Sequence, residues 1–549
     1  MYIYKFIMNI LMCGINAILN KIELIDTVTY ELLSRRGPDS IKTINITINT
    51  NRFISLTASV LHMRGNNGVT VQPMVDLVTG NILLWNGELY LFDNEVLPES
   101  VNDTQFVFNK MNQLDTEISE IVNLFEKFQG PWSFIFYHAK SQCLLFGRDF
   151  LGRRSLVYTN TKDQFCISSI TSPFKNNSVE WSELPPQGIY YIMLKKQDID
   201  LKLMKWSNNL FPLRIPQHIS DPVNSFLNVL TESVRIRVIN GSKNDPIAIL
   251  FSGGIDSAFI AALAHKVLPI NIPIELINVS FITNDKIKTP DRITALQTYE
   301  ELLNLSNKAD ESGSRVRDWR LVLVDITEKE VIEYQNYILS LCNPKVSVMD
   351  MTIGIALWFG ARGIGSLYNY NNNTDTNSTF NTNDTNMSNE LYKSNARILL
   401  TGHGADEQLG GYKRHRTKFL DGGLSALQEE LDLDLKRLWT RNLGRDDRLI
   451  SDFGRELRCP YLDERVLHCL SSLPLDSICN LDNNAINGDK HILRSAARLI
   501  GLTESTKLDK RAIQFGTKSA AMYQINQRKQ SKQNYIDSNN GFKDFLLFQ

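Results

Sequence analysis

Residues 246–268 constrain this chain more than any other stretch. Pro246-Ile-Ala-Ile-Leu-Phe251 is a short apolar run of the kind buried in a parallel sheet, and Asp256 to Leu268 reads as the helix that follows. Between them stands Ser252-Gly-Gly-Ile-Asp-Ser257. Glycines let backbone amides close around an anion, and a helix N-terminus adds positive potential there. The segment predicts strand, phosphate cradle and helix, in that order. It is not a Walker loop, because no Gly-Lys-Ser/Thr closes it and no lysine stands ready for a γ-phosphate.

A second apolar strand, beginning at Ile398, runs into the glycine-rich acidic turn Gly402-His-Gly-Ala-Asp-Glu-Gln-Leu-Gly-Gly-Tyr412. Asp256 and Asp406 are then both expected at the carboxyl ends of parallel strands, where open α/β sheets bind ligands. Two hard carboxylates beside a triphosphate suit Mg²⁺. Ile274–Phe281, Trp319–Asp325 and Ile398–Thr401 are the predicted partners of the first strand. Short alternating strands earlier in the chain (Phe53–Val60, Ile82–Trp85, Trp132–Tyr137 and Cys143–Phe146) predict a sheet-on-sheet core instead. After about Phe419 the pattern turns mostly helical. The expected fold is therefore two-domain, α/β and α+β. A layered β-sandwich comes first, and a parallel-sheet domain with a helical C-terminal part follows.

The motifs give this division a chemistry. Ser-Gly-Gly-x-Asp-Ser resembles the loop of N-type ATP pyrophosphatases, and with the acidic turn it is similar to asparagine synthetases and β-lactam synthetase. Gly454-Arg-Glu-Leu-Arg-Cys-Pro-Tyr-Leu-Asp463 and Gly488-Asp-Lys-His-Ile-Leu-Arg494 extend that resemblance. Met12-Cys-Gly-Ile15, Arg35-Arg-Gly-Pro-Asp39, Leu84-Trp-Asn-Gly-Glu-Leu-Tyr90, Asn102-Asp103 and Gly147-Arg-Asp-Phe-Leu-Gly-Arg153 look like class II glutamine amidotransferases. Finer wording, such as Asn442-Leu-Gly-Arg-Asp-Asp447 and Arg511-Ala-Ile-Gln-Phe-Gly516, is most similar to a divergent eukaryotic branch of asparagine synthetase relatives.

The resemblance implies an enzyme with two sites. Cys13 would be the nucleophile on glutamine, its own α-amine the base, and Asn86 with Gly87 the oxyanion hole. Arg64, Glu88 and Asp103 would hold the glutamine. At the other site Ser252, Gly253, Gly254, Ser257 and Gly404 would bind ATP and its pyrophosphate, and Asp256 with Asp406 would hold Mg²⁺. Lys490 would neutralise phosphate charge and Glu456 would act as general base for the amine. The overall reaction would convert aspartate, glutamine and ATP to asparagine, glutamate, AMP and pyrophosphate. The alternatives are a different carboxylate acceptor, or a family member that binds without catalysis. Around Pro344-Lys-Val-Ser-Val-Met-Asp-Met-Thr352 the synthetases' Thr-x-Arg-Ala-Ser wording is replaced by Met349 and Asp350. An acidic side chain there would repel an aspartate carboxylate.

Bulk properties fit this outline. The formal net charge is −1 and no basic stretch favours nucleic acid. The seven cysteines are scattered and odd in number, as in a reducing compartment, and no apolar run is long enough for a membrane helix. The expected location is cytoplasmic and the expected partners are small molecules, with the oligomeric state open. Residues 1–12 read as a leader absent from the mature protein, so that Cys13 becomes its first residue. Residues 13–195 form the expected amidotransferase domain, 196–221 a linker and 222–549 the ATP pyrophosphatase domain. Residues 369–389, almost wholly Asn, Thr, Ser and Asp, are an expected disordered insertion.

Overall fold

In the computed structural model of the chain the described residues are 13–19, 27–50, 52–65, 68–114, 118–161, 164–171, 180–196, 198–207, 210–239, 245–282, 289–308, 316–369, 387–482 and 488–526. The leader and most of the 369–389 insertion lie outside them. Two compact units result, and they do not follow chain order. The first joins the chain up to residue 243 to Ser340–Lys345 and Gly402–Ala496. The second holds Asn244–Leu339, Val346–Thr401 and the chain from Ala497 onward.

The first unit contains two six-stranded sheets. One runs Ser182–Glu183, Val157–Asn160, Phe165–Ser168, Gly14–Leu19, Arg52–Val60, Ser40–Asn49. The other runs Lys202–Lys205, Gly188–Met193, Cys143–Arg148, Trp132–His138, Ile82–Gly87, Met74–Val75. Neighbouring strands pair antiparallel, as between Ile15 and Ala58 and between Leu84 and Ile135. Alternation sorts their side chains. Ile15, Ala17, Leu56, Ile82, Leu84, Ile135 and Phe146 meet between the sheets. Leu83, Trp85, Phe134 and Phe136, one residue out of phase, pack instead with Val107, Phe108 and Met111 of the helix Asp103–Asn112. Over the first sheet, Leu33 of the helix Thr27–Arg36 faces Gly14, where an added Cβ would sit 2.8 Å from its Cδ2. The expected sandwich is present, and helices cover both outer faces.

The second unit is built on a mixed sheet. Ile247–Leu250 pairs in parallel with Ile274–Phe281 and with Ile398–Leu400, and Ile274–Phe281 pairs in parallel with Trp319–Ile326. The helix Ile255–Val267 follows the first of these strands, as expected. The sheet is not wholly parallel, however. Ile364–Tyr368 and Met387–Lys393 add an antiparallel pair at its edge. Met387 to Asn389, expected as the end of the insertion, begin that last strand. No helix among the described residues is long and apolar enough to cross a membrane.

Candidate functional site

Cys13 stands at the head of the strand Gly14–Leu19. Its Sγ accepts the Leu61 N–H at 3.2 Å, and Arg36 Nε donates to its carbonyl at 3.1 Å. Arg36 is in turn held by Asp447, with Nη2 2.9 Å from Oδ2, and by Ser451. Burial pushes the thiol up to about 12, and the carboxylates of Glu456, Asp103 and Glu88 add to the rise against the Leu61 hydrogen bond. The thiol is therefore protonated at neutral pH, and a reaction through sulfur needs a base beside it.

One pocket gathers Cys13, His62, Arg64, Gln72, Asn86, Gly87, Glu88, Asp103 and Glu456. All six residues predicted for glutamine chemistry are among them. Asn86 and Gly87 end the strand Ile82–Gly87, and a Cβ on Gly87 would lie 2.6 Å from the Pro131 carbonyl oxygen. A side chain at position 87 would push the pocket wall off its neighbouring strand. Asp103 opens the helix Asp103–Asn112, capped by Asn102, and accepts from Leu89 N–H at 3.1 Å and Trp85 Nε1 at 3.2 Å. Burial raises its carboxyl, opposed by Arg64. Burial likewise raises Glu88 to about 8, with Glu456 adding to the shift and Arg458 and Arg64 opposing it.

Two residues differ from expectation. Arg64 was expected to grip the α-carboxylate of glutamine. Its Nη1 donates to Leu89 O at 2.8 Å and its Nη2 to Leu97 O and Pro98 O at 3.0 and 2.8 Å. Both arms of the fork are thus committed to backbone carbonyls, and Arg64 braces the pocket wall. Glu456 was expected to serve the amine at the synthetase site. It is buried in the wall of the Cys13 pocket, 2.9 Å from Arg154 Nη2 and 2.8 Å from Arg458 Nε. Sequence reasoning did not place Arg36, Gln72 or His62 in this site. Arg36 lies within the motif 35–39, but its partners come from distant segments.

The acidic turn belongs to the same unit. Gly404 has φ +91°, and a Cβ on it would meet Leu462 Cδ2 at 2.3 Å. Asp406 Oδ1 lies 2.7 Å from Lys490 Nζ, so the predicted metal ligand and the predicted phosphate cation are brought together as a pair. Lys490 is buried and holds a left-handed φ of 55°, a conformation rare for a side-chain-bearing residue. Glu407 is buried and accepts from Tyr412 Oη at 2.6 Å, and burial raises its carboxyl.

The Ser-Gly-Gly loop lies in the second unit, and Gly254 caps the helix Ile255–Val267. Gly253 has φ +79°. Gly254 N–H reaches Ser252 Oγ at 3.2 Å, and Ser257 Oγ donates to the Gly254 carbonyl at 3.1 Å. Asp256 is in the first turn of that helix. No group of three or more metal-ligating side chains occurs among the described residues. Asp350, expected to repel an acceptor carboxylate, is the capping-box residue of the helix Val348–Arg362. It accepts from Ser347 N–H and Oγ at 3.1 and 2.6 Å.

Comparison with known proteins decides the family. Asparagine synthetase domain-containing protein 1 of Bos taurus is 34% identical over 91% of this chain and 93% of its own length. The chain belongs to the asparagine synthetase domain-containing family. The protein of the same name from Homo sapiens is 33% identical over 95% of this chain and 97% of its length. A putative glutamine-hydrolyzing asparagine synthetase of Methanocaldococcus jannaschii is 23% identical over 77% of this chain and 70% of its own. The glutamine amidotransferase domain family matches residues 12–206, and the asparagine synthase family matches 225–330 and 420–540. This pair of domains, one for glutamine and one of synthase type, is what a glutamine-dependent amide ligase combines.

Proposed function

We propose that the protein is a glutamine-hydrolysing, ATP-dependent amide ligase of the asparagine synthetase type. The observation that carries the reading is the convergence of Cys13, Asn86, Gly87, Glu88 and Asp103 on one pocket. The Cys13 thiol attacks the side-chain carbonyl of glutamine, and the α-amine of Cys13, once free, takes the thiol proton. Asn86 and the Gly87 N–H receive the oxyanion. Ammonia leaves with that proton, and water cleaves the thioester to glutamate. Asp103 binds the α-ammonium of glutamine, and a protonated Glu88 offers a hydrogen bond from the same wall.

In the second half-reaction a carboxylate oxygen, that of aspartate in this proposal, attacks the α-phosphorus of ATP. The departing pyrophosphate is held by Ser252, Gly253, Gly254 and Ser257, and Gly404 also serves the nucleotide. Ammonia then displaces AMP from the acyl adenylate. The hard carboxylates of Asp256 and Asp406 suit Mg²⁺, which when bound offsets phosphate charge. Lys490 adds a fixed cation beside Asp406. Because Asp350 is occupied in a helix cap and Met349 is exposed, the 344–352 segment differs from the synthetases' acceptor wording in more than charge. That difference favours a second reading, in which another carboxylate is the acceptor. Seven cysteines without a disulfide support a cytosolic setting.

The test measures pyrophosphate release from ATP with a panel of carboxylic acids, using protein produced with Cys13 as its first residue. Glutamine and ammonia are compared as nitrogen source. Cys13→Ala should abolish glutamine-dependent turnover and spare ammonia-dependent turnover. Absence of ATP turnover with every acid would refute the ligase.

A further inference from the structure

Three consecutive carbonyls of the Ser-Gly-Gly loop are each held from behind by a different buried side chain. Asn278 Nδ2, on the strand Ile274–Phe281, donates to Phe251 O at 2.9 Å. Thr294 Oγ1 donates to Ser252 O at 2.8 Å and Thr298 Oγ1 to Gly253 O at 2.8 Å, both from the helix Pro290–Lys308. Thr294 and Thr298 are four residues apart and so share one helix face. Thr294 Oγ1 also lies 3.1 and 3.2 Å from Pro290 O and Asp291 O, but its single proton has its shortest path to the loop. Asn278 has both amide hydrogens in use, on Phe251 O and on Asp291 O at 3.2 Å. Its Oδ1 accepts from Arg292 Nε at 2.7 Å, which orients the amide. The loop is pressed onto the helix so closely that a Cβ on Gly253 would lie 2.4 Å from Ala295 N.

A trans peptide points its N–H opposite to its carbonyl. With the carbonyls of 251, 252 and 253 turned toward Asn278, Thr294 and Thr298, the N–H groups of Ser252 and Gly253 face the other way, beside the start of the helix Ile255–Val267, while that of Gly254 meets Ser252 Oγ at 3.2 Å. We infer that Asn278, Thr294 and Thr298 are positioning residues that hold this loop ready for an anion before one arrives. The inference rests on the proposed pyrophosphate role of the loop. Rigid amides lose less freedom on binding than amides that must first be ordered, so each carbonyl tie raises affinity without touching the ligand.

The experiment is calorimetric titration of the full chain with magnesium pyrophosphate, paired with thermal midpoints. Wild type should bind, Thr298→Val should bind roughly three- to tenfold more weakly for one lost hydrogen bond, and Thr298→Ser should restore wild-type affinity. If Thr298→Val fails to fold, Thr294→Val and Thr294→Ser give the same comparison. Failure of wild type to bind would overturn the pyrophosphate reading itself. Binding in wild type with no loss in the valine variants, or equal loss in valine and serine variants, would overturn the positioning role alone.

Discussion

Asp447→Asn is the perturbation whose magnitude the structure defines best. Asp447 is fully buried and accepts from Arg36 Nη2 at 2.9 Å, Arg154 Nη1 at 3.2 Å and Ser155 N–H at 3.1 Å. Burial alone would raise its carboxyl, yet Arg36 and Arg154 hold it below the usual range. Asparagine keeps the volume, so no cavity forms, but it removes the charge and turns an amide donor toward an arginine donor. Breaking a buried pair from one side costs about 3–5 kcal/mol. The loss should not double, because Arg154 keeps Glu456 at 2.9 Å and Arg36 keeps the Cys13 carbonyl. Asp93→Asn is the internal control. It breaks the Lys127–Asp93 pair, equally close at 3.0 Å but with both side chains about half exposed, and should cost under about 1 kcal/mol. Urea denaturation followed by circular dichroism measures both as midpoint shifts at unchanged slope. A shift for Asp447→Asn no larger than that for Asp93→Asn would refute the argument that burial sets the magnitude.

Glu88 is raised from 4.5 to about 8, so the folded chain retains a proton that the unfolded chain releases. Stability should therefore fall as pH rises between those values, and Glu88→Gln should remove part of the fall. Thermal midpoints of the two proteins recorded across that range should diverge in the variant's favour, whereas parallel curves would count against it. Asp350→Ala should cost about 0.5–2 kcal/mol through the lost capping box, read by thermal unfolding, and leave the preference among carboxylate acceptors unchanged in the pyrophosphate-release assay. A changed preference would mean that Asp350 faces the substrate.

Much of the fold was legible because local patterns agree with the final structure. The run 246–251 could be a strand or a buried turn of helix, but the two glycines behind it settle the choice. The strand expected as alternating at Ile82–Trp85 is buried on both faces, Leu84 between the sheets and Leu83 beneath the helix Asp103–Asn112. The antiparallel strand Ile364–Tyr368 was missed because it is five residues long and borders a polar stretch. In the site, Cys13, Asn86, Gly87, Glu88 and Asp103 stand in ordered motifs and converge as expected. The bonds of Arg64 to the Leu89, Leu97 and Pro98 carbonyls were not legible, because a guanidinium near a pocket can serve ligand or backbone equally well. That Glu456 lines the Cys13 pocket was not legible, because no local signal records that residues near 456 fold against residues near 13. Motifs such as Asn442–Asp447 carried the right residues, but their partners lie hundreds of positions away.

Those distances have a consequence for how the protein is made. Arg36 waits 411 positions for Asp447, and Arg153 waits 311 for Glu464. At a synthesis rate of roughly 5–20 residues per second, the ribosome emits the first segment on the order of twenty to eighty seconds before Asp447 exists. During that interval Arg36 has no Asp447 to hold it where it fastens the Cys13 carbonyl, and Arg154 lacks both Asp447 and Glu456. The surroundings of Cys13 are completed only when the far end of the chain returns to them, so a growing chain cannot present this pocket in its finished form before the segment that includes Asp447 has been translated.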